Sequence, residues 1–209
     1  FDRPSSDDKE LIKAMQAARQ AGVKVILGGE VHVSTTASGS TMTRLDGPIP
    51  EFANDTAWGL AEWQLGTAPL RRHFPGAEGV PSLALRTAEL TMPQGLQSRP
   101  PERWINFYGP PGFISHCSYA DALEPRLTGT NTFAGKVCFI GAWPSTPLAG
   151  GVRVDEWSTP YSRWGDGKSP GGEVTATVYL NLAHHEWLTR APALGEVLVV
   201  ILSGIVFGF

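Results

Sequence analysis

Residues 133–163 read FAGKVCFIGAWPSTPLAGGVRVDEWSTPYSR. Within them, Lys136-Val137-Cys138-Phe139-Ile140 has the composition of a buried strand, and Gly141 ends it. A long irregular loop follows, carrying Asp155 and the tetrad Thr159-Pro160-Tyr161-Ser162. In α/β folds ligands bind just beyond the carboxyl ends of strands. The loop is therefore a candidate site: a carboxylate, hydroxyls and a phenol can converge there, with Pro160 fixing the backbone. Alternatively, Asp155 and Thr159 satisfy backbone groups of their own loop. The residues alone leave both open.

Upstream, Pro4-Ser5-Ser6-Asp7-Asp8 has helix N-cap chemistry, and Leu11, Met15, Ala18 and Gly22 recur at helical spacing. Val23 to Leu27 reads as a strand ended by Gly28-Gly29. Helix followed closely by apolar strand points to an α/β arrangement. Residues 34–52, rich in Ser, Thr, Gly and Pro, read as an exposed excursion, and residues 57–65 as a strand. Pro81 stands where a second helix begins at its favoured first position, and Trp104 to Tyr108 (WINFY) is a strand stopped by Gly-Pro-Pro-Gly. Ser118 to Leu123 is a short helix. Residues 171–188 form a long one with Val174, Val178, Leu182 and His185 on one stripe.

The 209 residues suffice for one core, so one domain with an addition is expected. A net charge of −3 provides no basic field, which argues against nucleic acid as a partner. Residues 197–209, VLVVILSGIVFGF, contain no charge; a bilayer-spanning helix needs about 20 such residues, so the run is expected to be the start of a transmembrane helix. Cys117 and Cys138 permit a disulfide in an oxidising compartment; the simpler expectation is that Cys138 is a small apolar residue of the buried strand.

Several chemical motifs fail. Residues 129–137 (GTNTFAGKV) have the wrong glycine spacing for a phosphate loop, lack its Ser/Thr and lead into a strand. His184 and His185 diverge by about 100° on a helix, so they do not share a metal ion. His116, Cys117 and Asp121 carry no local signature of nucleophilic catalysis. No catalytic residue, metal ligand or cofactor site is assigned.

Four segments in order, Ile105 to Gly112 (INFYGPPG), Ser118 to Asp121 (SYAD), Lys136 to Gly141 (KVCFIG) and Thr159 to Ser162 (TPYS), resemble the CHASE2 domain. Residues 81–85, the 171–188 helix and the start at Phe1-Asp2 match its intervening pieces. Thr175-Ala176 departs from a His-Ala pair common in the family. The resemblance implies an extracytoplasmic sensory module of a bacterial transmembrane receptor, on the periplasmic side of the cell membrane. It further implies membrane helices leading to a cytoplasmic cyclase or kinase. The first strands and an anchoring helix would precede Phe1.

The expected architecture is α/β, with a central sheet including residues 23–27, 104–108 and 136–141, flanked by helices. Residues 1–192 are assigned to the sensory domain and 193–209 to the start of the membrane helix. Asp155, Thr159, Tyr161 and Tyr108 are the ligand-binding candidates. The expected partners are the membrane, a small molecule or environmental stimulus, and a second copy in a homodimer. The chain itself is expected not to be an enzyme. A membrane-anchored extracytoplasmic enzyme, with Asp155, Thr159 and His116 in one concave site, and a structural dimerisation module are the alternatives.

Overall fold

The structure is a computed structural model that describes residues 7–35, 39–53, 56–61, 69–92, 96, 100–124, 132–142, 155–163 and 167–208. Helix α1, Asp8–Gln20, places Asp8 and Glu10 in its first turn and Arg19 in its last, which suits the helix dipole. None of its residues is buried. Gly22 turns the chain at φ 80°, a conformation natural to glycine.

Strand β1, Ile26–Thr35, does two jobs. Its first half pairs in parallel with β3, Ala57–Leu60. Its second half forms a hairpin arm with β2, Thr41–Asp46. Gly28-Gly29 therefore does not end the strand. The stretch read as an excursion also contributes α2, Pro50–Ala53, whose Phe52 is buried. Polar composition hid the arm because Thr41, Met42, Thr43 and Arg44 of β2 are exposed while their backbone is paired.

Strand β3 lies hard against the next helix: a Cβ on Gly59 would stand 2.9 Å from the Ser82 carbonyl oxygen. Short strands β4, Gly76–Ala77, and β5, Val80–Pro81, precede helix α3, Leu83–Thr91. Pro81 belongs to β5 and does not open the helix. The cap is Ser82, whose hydroxyl accepts from the Leu85 N–H at 3.3 Å. Helix α4, Tyr119–Leu123, is capped in the same way by Ser118.

Strands β6, Glu156–Trp157, and β7, Ser169–Pro170, form a clamp ahead of helix α5, Gly171–His184. The core lies between α3 and α5 and contains Leu70, Ala84, Leu85, Ala88, Ile105, Phe107, Val174, Val178 and Leu182. Residues 104–108, read as a strand, are bridged at Trp104 to Arg72 on one side and Leu188 on the other. The Ile105 N–H still donates to the Arg71 carbonyl at 2.8 Å, and at Asn106 the partner becomes a side chain. Asn181, fully buried on α5, accepts from the Asn106 N–H at 2.7 Å and donates to the Asn106 carbonyl at 3.0 Å.

The expected central strand requires correction. Residues 136–141 form no strand, and Val137, Cys138 and Ile140 are exposed; Phe139 leans on Tyr179 of α5 at 5.7 Å between ring centroids. An apolar run supplies side chains for a sheet but no neighbouring strand, and this one pairs with no strand among the described residues; the Lys136 N–H only closes a turn onto the Phe133 carbonyl at 3.2 Å. The described sheets are accordingly one of three strands and two of two, with no large central sheet. The C-terminal run, expected as the start of a membrane helix, forms helix α6, Ala193–Phe207, of 15 residues. At about 1.5 Å per residue it is short of the ~30 Å hydrocarbon core, and no helix among the described residues is long and apolar enough to cross a membrane. Both cysteines are free.

Asn181→Leu should keep the apolar face of α5 yet orphan both main-chain groups of Asn106. A loss of about 1–3 kcal/mol per orphaned group is expected in urea unfolding. A total loss below about 1 kcal/mol would mean that water or a rearranged loop replaces the amide.

Candidate functional site

The first turn of α5 gathers most of the polar chemistry. The Gly171 N–H donates to the Asp155 carbonyl at 3.1 Å, continuing the β6–β7 pairing into the helix. The Asp155 carboxylate lies over Gly171 so closely that a Cβ there would overlap it. It accepts from the Trp157 indole N–H at 2.9 Å. A negative group at this end complements the helix dipole.

Thr159 is buried, and its backbone is locked by Ser162. The Thr159 N–H donates to the Ser162 hydroxyl at 3.0 Å, and the Ser162 N–H returns to the Thr159 carbonyl at 3.1 Å. This exchange closes the 3-10 turn Pro160–Arg163. The Thr159 hydroxyl has no hydrogen-bond partner among the described residues. Tyr161 is half-buried against the core.

Glu173, two residues into α5, holds the Gly-Pro-Pro-Gly loop. Its carboxylate accepts from the Gly112 N–H at 2.9 and 3.0 Å and from the Ile114 N–H at 3.2 Å. Between this loop and α5 lies a shallow depression lined in part by Tyr108, Gly109, Phe113, Ser169 and Glu173. It has room for about one water molecule.

The Tyr108 hydroxyl accepts from Asn181 Nδ2 at 3.1 Å and donates to the Glu186 carboxylate at 2.7 Å. Burial, and next the bond to Glu186, push the phenol up to about 12, while the Asn181 bond pulls the other way. Tyr108 is thus the neutral link between the core amide and the exit from α5.

Of the four candidates, Tyr108 lines the depression; Asp155, Thr159 and Tyr161 sit on the neighbouring β6 and 3-10 segment and are not part of its lining. His116 is exposed and outside that lining too. Residues 143–154, the body of the loop, lie outside the described residues. Sequence reading passed over Glu173, Asn181, Glu186 and His73. Asn181 carried a signal: a lone amide on the stripe of Val174, Val178 and Leu182. Glu173 carried none, since its partners are backbone groups 59 and 61 residues away.

These features define an α/β module built around one central helix, with its polar groups largely joined to its own backbone. The CHASE2 domain model matches residues 1–209, the whole chain, and the protein belongs to the CHASE2 family. This is a family of extracytoplasmic sensory domains, not catalytic ones. Searches of curated proteins and of solved structures gave no match.

The phenol makes the Tyr108 network testable. In an ultraviolet titration, one of the four tyrosines should ionise near pH 12, and Glu186→Gln should bring it down. Because the folded-state value is raised, the network's contribution to stability is complete below pH 10 and fades as pH rises through 12. Four tyrosines titrating together near pH 10 would contradict the hydrogen-bonded arrangement.

Proposed function

We propose that this chain is the sensory domain of a bacterial transmembrane receptor, placed on the periplasmic side and working as a homodimer. A small-molecule or environmental stimulus alters the packing of α5. The change passes through residues 185–192 to the apolar helix α6 at the membrane, and so to a cytoplasmic cyclase or kinase. The observation that carries this reading is the continuity of α5 with α6 in a chain of a sensory family. α5 supplies Val174, Val178 and Leu182 to the core. After its end, the Leu188 N–H donates to the Trp104 carbonyl at 3.1 Å. Arg190 then grips Glu196 in the first turn of α6 with two bonds of 2.7 and 2.9 Å, across Pro192.

Helix α6 supports a membrane partner. Beyond Glu196 it carries no charge, and Leu194, Val199, Val200, Val206 and Phe207 are each more than half exposed. An apolar surface of this extent needs a cover, and a membrane meets the need although the helix is too short to span it alone. The ligand-facing candidates are Tyr108, which lines the depression, and Asp155, Thr159 and Tyr161 beside the start of α5. A stimulus acts only if it binds one arrangement of α5 better than another.

Deleting the domain from the full-length receptor should abolish the response to the stimulus; unchanged output and unchanged response would end the sensory reading. Within the domain, Arg190→Glu should shift the basal output without unfolding the core, because the Arg190–Glu196 pair lies at the surface, its side chains 71% and 38% exposed. Adding Glu196→Arg should restore the wild-type level. Failure of the reversed pair to restore it would place the coupling elsewhere.

A further inference from the structure

His73 sits where the core meets the chain leading to α6. It is 1% exposed. Its Nδ1 accepts the Arg103 backbone N–H at 2.9 Å, so the neutral ring carries its proton on Nε2. That Nε2 is buried and has no hydrogen-bond partner among the described residues. The ring lies against Trp187, with centroids 4.7 Å apart and planes at 41°. Backbone ties flank the stack: the His73 N–H to the Arg103 carbonyl at 3.0 Å, and the Leu188 N–H to the Trp104 carbonyl at 3.1 Å.

This pocket fits a neutral imidazole and not an imidazolium. The cation has donors on both nitrogens. A proton on Nδ1 would face the Arg103 N–H, donor against donor. The acceptor at hand, the Arg103 carbonyl, is 3.4 Å from Nδ1, too long for a good bond. Among neighbouring charges, Glu102 favours the cation and Arg103 opposes it. Glu102 is already drawn to Arg72 at 3.4 Å, and the Arg72 guanidinium lies over Trp104. On the chain after α5, Glu186 is engaged by Tyr108, and His184 and His185 are exposed. Burial is the largest influence and holds His73 below 6.5.

We propose that His73 is a proton-operated latch: protonation drives its ring from beneath Trp187 and loosens the Trp104–Leu188 tie that joins the core to α6. The latch stands on local geometry. Its use as a signal, with acidity as the stimulus, rests on the sensory function proposed above. The sign follows from linkage. The closed form binds the proton less well than the open form, so closure is fully supported above pH 6.5 and is lost as pH falls below that value. In the range between the open and closed proton affinities, the opening constant rises up to tenfold per pH unit.

The test is hydrogen exchange and NMR on the full chain from pH 7.5 to 4.5. With intrinsic exchange rates corrected, the Leu188 amide should lose protection while core amides such as Val178 keep theirs. The Trp187 indole resonance should move in the same transition as the His73 ring, below pH 6.5. His73→Phe, which retains a ring but not the proton site, should abolish the transition. If that variant does not fold, coincidence of the His73 and Trp187 transitions in the wild type decides. Titration of His73 without change at Trp187 and Leu188, or persistence of the transition in His73→Phe, overturns the latch. An intact latch in a full-length receptor whose output ignores pH would instead overturn only its use as a signal.

Discussion

The Asn181 amide is the constraint on which the arrangement depends. Apolar packing of Val174, Val178 and Leu182 holds α5 in the core, but such packing is non-directional and fixes neither rotation nor height. The amide fixes both. It must present its oxygen to the Asn106 N–H and its nitrogen to the Asn106 carbonyl at once, at 2.7 and 3.0 Å. It does the work of a neighbouring strand for a segment whose backbone pairing, bridged at Trp104, ends with the Ile105 N–H on the Arg71 carbonyl. Its second donor reaches the Tyr108 hydroxyl, which passes a bond on to Glu186. Fully satisfied polar networks of this kind specify one packing because each alternative leaves a buried group unpaired. Core, central helix and helix exit are thereby one unit.

The opposite end of α5 is organised by two carboxylates acting on backbone. Asp155 lies over Gly171, where only a residue without a Cβ leaves room. Glu173 gathers the N–H groups of Gly112 and Ile114. Neither side chain caps the helix in the usual sense, since the N-cap residue is Pro170 and it offers no side-chain hydrogen bond. Together they tie two irregular loops to one helix start. A chain with 24 glycines and 17 prolines has much irregular backbone to satisfy, and charge-assisted bonds to main-chain N–H groups are strong enough to hold it. This also explains why acidic residues near conspicuous loops looked like ligand chemistry in the sequence.

What was legible in the sequence was local. Helix α4, the start of α5 at Gly171 and the apolar character of α6 follow from side-chain type and spacing, and so does the α/β class; the end of α5 does not, since the helix expected to reach 188 stops at His184, with His185 left-handed. What was not legible depends on backbone partners distant in the chain. Residues 136–141 have a strand's composition without a strand's neighbour, whereas the polar residues of β2 have the neighbour without the composition. Pairing, not hydrophobicity, makes a strand. His73 illustrates the same limit at the candidate site. Nothing in Arg-Arg-His-Phe foretells a buried imidazole, because its burial is made by Arg103 and Trp187. Asn181 was the exception: an amide set in an apolar stripe is conspicuous, and a buried amide must find partners.

The way α5 ends decides where any movement can be absorbed. His185 is left-handed, at φ 57° and ψ 31°, a conformation that a residue with a Cβ adopts at a cost. The Glu186 N–H closes the turn onto the Asn181 carbonyl at 3.2 Å. The chain is thus turned back at once, and residues 187–188 return to Trp104 and His73 in place of extending the helix. Upstream of this turn the contacts are buried and directional: Asn181, the α3–α5 core and the Glu173 anchor. Downstream they are a bridge at Leu188, a tilted ring stack, and an exposed Arg190–Glu196 pair that salt screens readily. A displacement of α5 therefore moves its end as a rigid piece, and the compliance lies between His185 and Pro192. Under the sensory function proposed above, an input that biases α5 is read out across that stretch.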